Sequence, residues 1–346
     1  MSHEIDLKNI NIRTDMIVDT IDTSSDNSDI KSYKKEFDNV SVEEIIIDKK
    51  SSEIYKRKDG IYKTLTFKDI TDKDNFKKVE KVLIDEIRDL MEKLKISNDA
   101  SCLIIGLGNN KSTPDSLGPK CIENVLVTRY LFDLGEVEEG YRNTSSFTPG
   151  VTGTTGIETK KLIEGVVNVS KPDFLIIIDA LASSSIERVN KTIQITDVGI
   201  APGSGVGNNR EELNSKTFNI PTIAIGVPTI VDAVTIVSDT FKYMMKQFNY
   251  KLENLDNKKL KFVDELHQNY LNEEGELSLE NREKILGIVG TLKDDDLKKL
   301  IYEVLSPIDY NLMVTPKEID FIMEKLSLLI ANSINKVLHK SYNTTN

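Results

Sequence analysis

Apolar residues are spaced in two ways along this chain. Phe76, Val79, Leu83, Ile87, Leu90 and Leu94 recur every three or four positions between charged residues, which predicts an amphipathic helix from about residue 73. SCLIIG (101–106) and DFLIIIDA (173–180) are instead unbroken apolar runs, rich in branched side chains, as expected of strands covered on both faces. TIQIT (192–196) and TIAIG (222–226) are further strand candidates, with helical stretches expected over about 118–134 and 231–248. Strands alternating with helices predict an α/β fold: a three-layer αβα arrangement around a mainly parallel or mixed sheet, with a C-terminal helical part.

The flanks have a different pattern. Residues 1–50 read as weakly structured, and DTSSDNSDIK (22–31) has the composition of a loop. Between 251 and 284, 15 of 34 residues are charged, so that stretch reads as a polar connection between core segments. Thr315-Pro316-Lys317-Glu318 has the form of a capping box, and Ile319, Ile322, Met323, Leu326, Leu329, Ile330, Ile334 and Leu338 give the following helix one apolar face for core packing. No repeat occurs at solenoid periods.

Composition narrows the classes. Hydrophobic residues are 39% of the 346, enough for a substantial core, and the formal charge is −11, which argues against gripping nucleic acid or an anionic membrane directly. Two cysteines cannot build a disulfide framework, the charged N-terminus has no signal-like apolar region, and no apolar run is long enough to span a membrane. A soluble, cytoplasmic protein is expected. His3, His267 and His339 are the only histidines, so residues 4–266 offer none to a Ser-His or Cys-His dyad.

Ligands in open α/β sheets sit at the carboxyl ends of strands. Three segments there stand out: GLGNNKSTPDSLGP (106–119), Asp179-Ala180, and TPGVTGTTGIET (148–159). The first is neither a dinucleotide fingerprint, since Lys111 stands where the third glycine belongs, nor a P-loop, since Asn110 precedes Lys111-Ser112. Asp115 in that loop and Asp179 at the end of an apolar strand are the candidate chemical groups. Two carboxylates at one sheet edge can divide acid and base roles toward water and a leaving group, hold a divalent metal, or simply cap the following helices. Ser116 and Lys120, four apart, read as an ordinary solvated face rather than a dyad, and PGSGVGNNR (202–210) as a glycine loop with Arg210 available for a carboxylate.

GLGN…TPDSLGP, TPGVTGTTGIET, DFLIIIDALA, SIERVNKTIQITDVGIAPGSGVGN and IPTIAIGVPTIVDAVTI together resemble the germination protease family of spore-forming bacteria, and the likeness continues in ILGIVGTL (285–292) and SPIDYNLMVTPKEID (306–320). The resemblance implies an endopeptidase made as a self-processing zymogen that begins the degradation of small acid-soluble, DNA-binding spore proteins during germination. It implies a homotetramer in the forespore or spore core, without direct nucleic-acid or membrane binding. Ile12-Arg13-Thr14-Asp15-Met16 matches the family's processing context, so the implied cut is Asp15–Met16, with Ile17 where an alanine is usual. The organisation expected is a propeptide (1–15), an N-terminal extension with the first helix (16–98), a catalytic α/β core (99–250), the polar connection (251–284) and a C-terminal helical part completing the core (285–346). The family's proposed catalytic aspartates fall on Asp115 and Asp179, and the layout also looks like the hydrogenase-maturation endopeptidases. No cofactor is called for on this view. A metal-dependent endopeptidase using the same carboxylates, a phosphate- or nucleoside-binding α/β protein, and a spore interaction protein are the competing readings.

Overall fold

The structure is a computed structural model and describes residues 14–21, 30–201, 211–253, 275–305 and 312–344. In chain order its strands and helices are β1 (Lys31–Phe37), β2 (Val40–Ile47), α1 (Lys49–Tyr55), β3 (Gly60–Phe67), α2 (Lys73–Lys93), β4 (Cys102–Gly106), α3 (Leu117–Ile122), α4 (Arg129–Leu134) and β5 (Thr144–Phe147). They continue with α5 (Thr152–Thr155), α6 (Thr159–Ser170), β6 (Phe174–Ser183), β7 (Thr192–Thr196), α7 (Ser215–Phe218) and β8 (Thr222–Asp232). Last come α8 (Ala233–Glu253), α9 (Leu279–Leu286), α10 (Ile288–Thr291), α11 (Asp294–Leu305), β9 (Met313–Val314) and α12 (Ile319–Leu338). None of the helices described is long and apolar enough to cross a membrane.

The described residues divide into two compact units, those within 14–230 together with 315–344, and those within 231–314. The first is built on a mixed sheet in the order β1-β2-β3-β7-β8-β6-β4-β5. β4 is parallel to β5 and β6, while β1, β2, β3, β7 and β8 are antiparallel to one another in turn. Each strand's alternation sorts its side chains to two faces. One face carries Ile104, Ile176, Ile178, Ile193, Ile195 and Ile225 against α2 and α12, whose apolar stripes supply Leu83, Ile87, Met323 and Ile330. The opposite face carries Leu103, Ile105, Leu175 and Ile177 under Ile163 of α6. Near β2 and β3, Ile45, Ile47 and Tyr62 cluster with Ile17 and Ile21 of the N-terminal segment. In the second unit the last two residues of β8 pair antiparallel with β9, and α8 packs on α11.

Four local expectations change. The N-terminal region, read as weakly structured, supplies β1 and β2; β1 is exposed throughout, so it shows no apolar alternation. The helix expected over 118–134 breaks into α3 and α4, because Asn335 of α12 accepts a hydrogen bond from Leu126 N–H (2.8 Å) and donates to the Asn124 carbonyl (3.1 Å), satisfying the interrupted backbone. Thr315 is not an N-cap. Its hydroxyl donates instead to the Thr229 carbonyl (2.8 Å), and the N-cap of α12 is Glu318. Within the stretch read as a polar connection, α8 runs to Glu253 and α9 begins at Leu279.

Candidate active site at the ends of β4 and β6

Strand β4 ends at Gly106 because the chain must pass under α3. A Cβ on Gly106 would collide with the Gly118 carbonyl, and one on Gly118 with the backbone of Leu107. Gly108 has φ of +117°, and a Cβ there would strike the Asp115 carbonyl oxygen and stand 3.2 Å from its Oδ1. The loop is then closed around Asp115 by backbone hydrogen bonds: Asn109 N–H to the Asp115 carbonyl (2.8 Å) and Asp115 N–H to the Ser112 carbonyl (2.9 Å). Thr229 of β8 fastens it by donating to the Pro114 carbonyl (2.7 Å). Ser116 is buried and donates to the Thr113 carbonyl (2.8 Å), so it lies on no solvated face.

Asp179 sits one residue past the paired register of β4 and β6, whose last partners are Gly106 and Ile178; Leu107 N–H donates to the Ile178 carbonyl at 2.8 Å. Its carboxylate is buried and accepts Ala180 N–H at 2.9 Å. The turn carrying Asp115 packs directly on β6. Both aspartates therefore belong to one end of one strand pair, where a buried carboxylate must be hydrogen-bonded or used.

Of the other two residues singled out by the sequence, Asp15 and Met16, the first also meets β6. Asp15 N–H donates to the Ala182 carbonyl (3.0 Å), and Asp15 Oδ2 accepts Ala182 N–H (3.0 Å). Ala182 is three residues beyond Asp179. Met16 and Ile17 are fully buried, while Thr14 and Asp15 are only half-buried, so the chain enters the core at the Asp15–Met16 bond. Ile12 and Arg13 lie outside the described residues, as does 202–210 with Arg210.

Sequence reasoning did not single out the groups that hold this segment. Asp19 accepts the Thr14 hydroxyl, the Ser183 hydroxyl (2.9 Å) and Ser184 N–H (2.8 Å), and forms an ion pair with Arg188 (2.6 Å). Arg57 donates to the Thr14 carbonyl (3.0 Å). Gln194, the lone amide in the buried strand β7, accepts Ile17 N–H at Oε1 (2.8 Å) and donates from Nε2 to the Asp15 carbonyl (3.3 Å). A polar side chain between Ile193 and Ile195 was the signal available in the sequence.

Asp179 and Gln194 share a sheet face. Their neighbours Ile178, Ile193 and Ile195 all point to the α2/α12 side, so strand alternation puts Asp179 and Gln194 on the other. Leu175 N–H donates to the Pro221 carbonyl, and the Leu181 side chain lies over Gly226, so the stretch of β6 holding Asp179 runs beside Thr222–Gly226. Gly226 in turn pairs with Gln194. The two backbones are thus two strand spacings apart, about 10 Å, with a glycine between them.

Other chemistries find little support. Cys102 and Cys121 are fully buried, and burial pushes both thiols far above their ordinary range, which suits structural rather than nucleophilic cysteines. His339 is buried, with Nδ1 accepting Arg142 N–H (3.2 Å). Among the described residues, the one trio of carboxylates close enough to share a metal ion is Glu44, Glu86 and Asp89, and the ammonium of Lys63 occupies it.

A family pattern described as germination protease matches residues 5–346. A germination protease of Bacillus subtilis (strain 168) is 45% identical over 360 residues, covering 99% of this chain and 97% of that protein. One from Bacillus cereus (strain AH187) is 43% identical over 361 residues, covering 100% and 98%. Among solved structures, the NiFe hydrogenase maturation protease HycI of Thermococcus kodakarensis KOD1 is 18% identical, covers 41% of this chain and 80% of its own, and has a TM-score of 0.28. With a family pattern spanning all but the first four residues and relatives alike over their full lengths, the chain belongs to the germination protease family and is a protein-cleaving hydrolase.

Proposed function

We propose that the chain is a self-processing zymogen that cuts itself at Asp15–Met16 and then cleaves small acid-soluble spore proteins, using water activated between Asp115 and Asp179. The observation that carries the proposal is the docking of Asp15 on Ala182, three residues from Asp179, with Met16 and Ile17 fully buried just after it. A bond so placed is poorly open to a second protease molecule, and it docks on the same strand that carries Asp179. One aspartate, ionised, takes a proton from water as its oxygen adds to the Asp15 carbonyl carbon. The other, protonated, gives its proton to the Met16 nitrogen as the C–N bond breaks. Residues 16–21 stay in the core after the cut, because Ile17 and Ile21 pack on Ile45, Ile47 and Tyr62. The family resemblance extends the proposal to a homotetramer acting in the spore core.

Asp115→Asn and Asp179→Asn test the pair. Each should lose at least about 1,000-fold in self-processing and in cleavage of a spore-protein substrate while melting close to the wild type. Near-full activity in either variant would dismiss the pair. Loss of activity on chelation, with recovery on adding a divalent ion, would move the same carboxylates to metal chemistry.

A further inference from the structure

Gln194 makes two hydrogen bonds to the backbone on either side of Met16, and these fix which way round its amide lies. Oε1 must face the Ile17 N–H and Nε2 the Asp15 carbonyl, since the flipped amide would set donor against donor and acceptor against acceptor. A buried amide in the middle of a strand is costly unless both ends are satisfied, and here both ends are satisfied by the N-terminal segment. The donor it presents points at the oxygen that gains negative charge when water adds to the Asp15 carbonyl carbon. It does so from the sheet face that carries Asp179, with Gly226 on the strand between and the Leu181 side chain lying over that glycine.

We propose that Gln194 is the carbonyl-binding residue of the self-cut, its Nε2–H stabilising the oxyanion formed at Asp15. The assignment rests on the self-processing proposed above. The ground-state contact of 3.3 Å is long for a hydrogen bond to a carbonyl, and it shortens as charge grows on the oxygen. Ile17 N–H, held by the buried Ile17, keeps the amide from turning away. The step is plain hydrolysis: the hydroxyl of water goes to the Asp15 acyl carbon, its remaining proton to the Met16 amine, and Gln194 keeps all of its own protons.

The test compares the full-length chain with Gln194→Leu and Gln194→Glu, following release of residues 1–15 by intact mass across pH 4–8. Leucine removes the donor and should slow release about 100-fold at every pH. Protonated glutamic acid has one O–H donor and one acceptor, as the amide does; ionised, it sets only acceptors against the carbonyl. Release by Gln194→Glu relative to wild type should therefore be within about tenfold near pH 4. It should fall to about 100-fold slower as the introduced acid ionises, at a pH above the ordinary Glu value near 4.3, because burial and the carbonyl it faces favour the neutral form. A residue that merely braces the N-terminal segment would shift the melting temperature without producing that pH limb. If Gln194→Leu fails to fold, the Gln194→Glu ratio still decides. A ratio that is flat with pH, or release by Gln194→Leu within about threefold of wild type, overturns the assignment while leaving self-processing in place. Failure of the wild-type chain to release 1–15 overturns both.

Discussion

Lys63→Met is expected to cost the first unit much of its stability. Lys63 lies on β3 with its side chain wholly buried, and its ammonium meets Glu44 (3.3 Å), Glu86 and Asp89. Lys93 reaches Glu44 and Asp89 (2.8 Å each), and Lys35 reaches Glu86 (3.6 Å). Three lysines thus balance three carboxylates, and the cluster between β2, β3 and α2 carries no net charge. Methionine fits the hydrocarbon stem but leaves two cations facing three acids, with the most buried cation gone. Removing one partner of a buried ionic group costs about 3–5 kcal/mol, because the remaining charge is stranded. For a unit of this size that is a drop of about 10 °C in melting temperature. Thermal melts of wild type and variant at neutral pH measure it. A second arm adds millimolar calcium: the carboxylate atoms lie within 4.8 Å of one another, so calcium should stabilise the variant and not the wild type, whose site Lys63 fills. A variant melting within about 2 °C of wild type, or equal calcium stabilisation of the two, would show that Lys63 does not neutralise this cluster.

Burial and the neighbouring Arg142 push the pKa of His339 from 6.5 down to about 4. Between those values the unfolded chain takes up a proton that the folded chain refuses, so this contribution is whole above pH 6.5 and is lost as pH falls toward 4, about 3 kcal/mol in all. The His339 resonance in a pH titration should report that low value, and a melting temperature that falls no faster with acid than in His339→Asn would contradict it. For Asp115→Asn and Asp179→Asn, the loss of activity should be accompanied by retention of the wild-type near-UV spectrum, since Asp115 is fixed by backbone bonds and Asp179 by Ala180 N–H, which an asparagine oxygen also accepts. Collapse of that spectrum would assign the two carboxylates to structure instead.

What the sequence made legible depended on how far apart the partners lie. DFLIIIDA could be read as a doubly covered strand because its burial is continuous, and Asp179 stood out as a carboxylate at the end of an apolar run. β1 was hidden because all seven of its residues are exposed and only its backbone pairing with β2 defines it. The break between α3 and α4 depends on Asn335, more than 200 residues away, and no local signal anticipates it. Thr315 failed as a cap because the Thr229 carbonyl competes for its hydroxyl. Asp115 and Asp179 were singled out from strand ends and family motifs, and the Asp15–Met16 bond from family motifs alone. The groups that hold the bond, Gln194, Asp19 and Arg57, required the fold, since their partners lie from about 40 to about 180 residues away along the chain.

On the proposed function, this chain cuts its own N-terminus at the bond held between Ala182 and Gln194. Purified full-length protein, incubated alone and followed by intact mass and N-terminal sequencing, tests it most directly. Residues 1–15 should be lost and a new N-terminus reading Met-Ile-Val-Asp should appear, at a rate per molecule independent of protein concentration and abolished by Asp179→Asn. An N-terminus that stays at Met1, or one that moves to any bond other than Asp15–Met16, would contradict it.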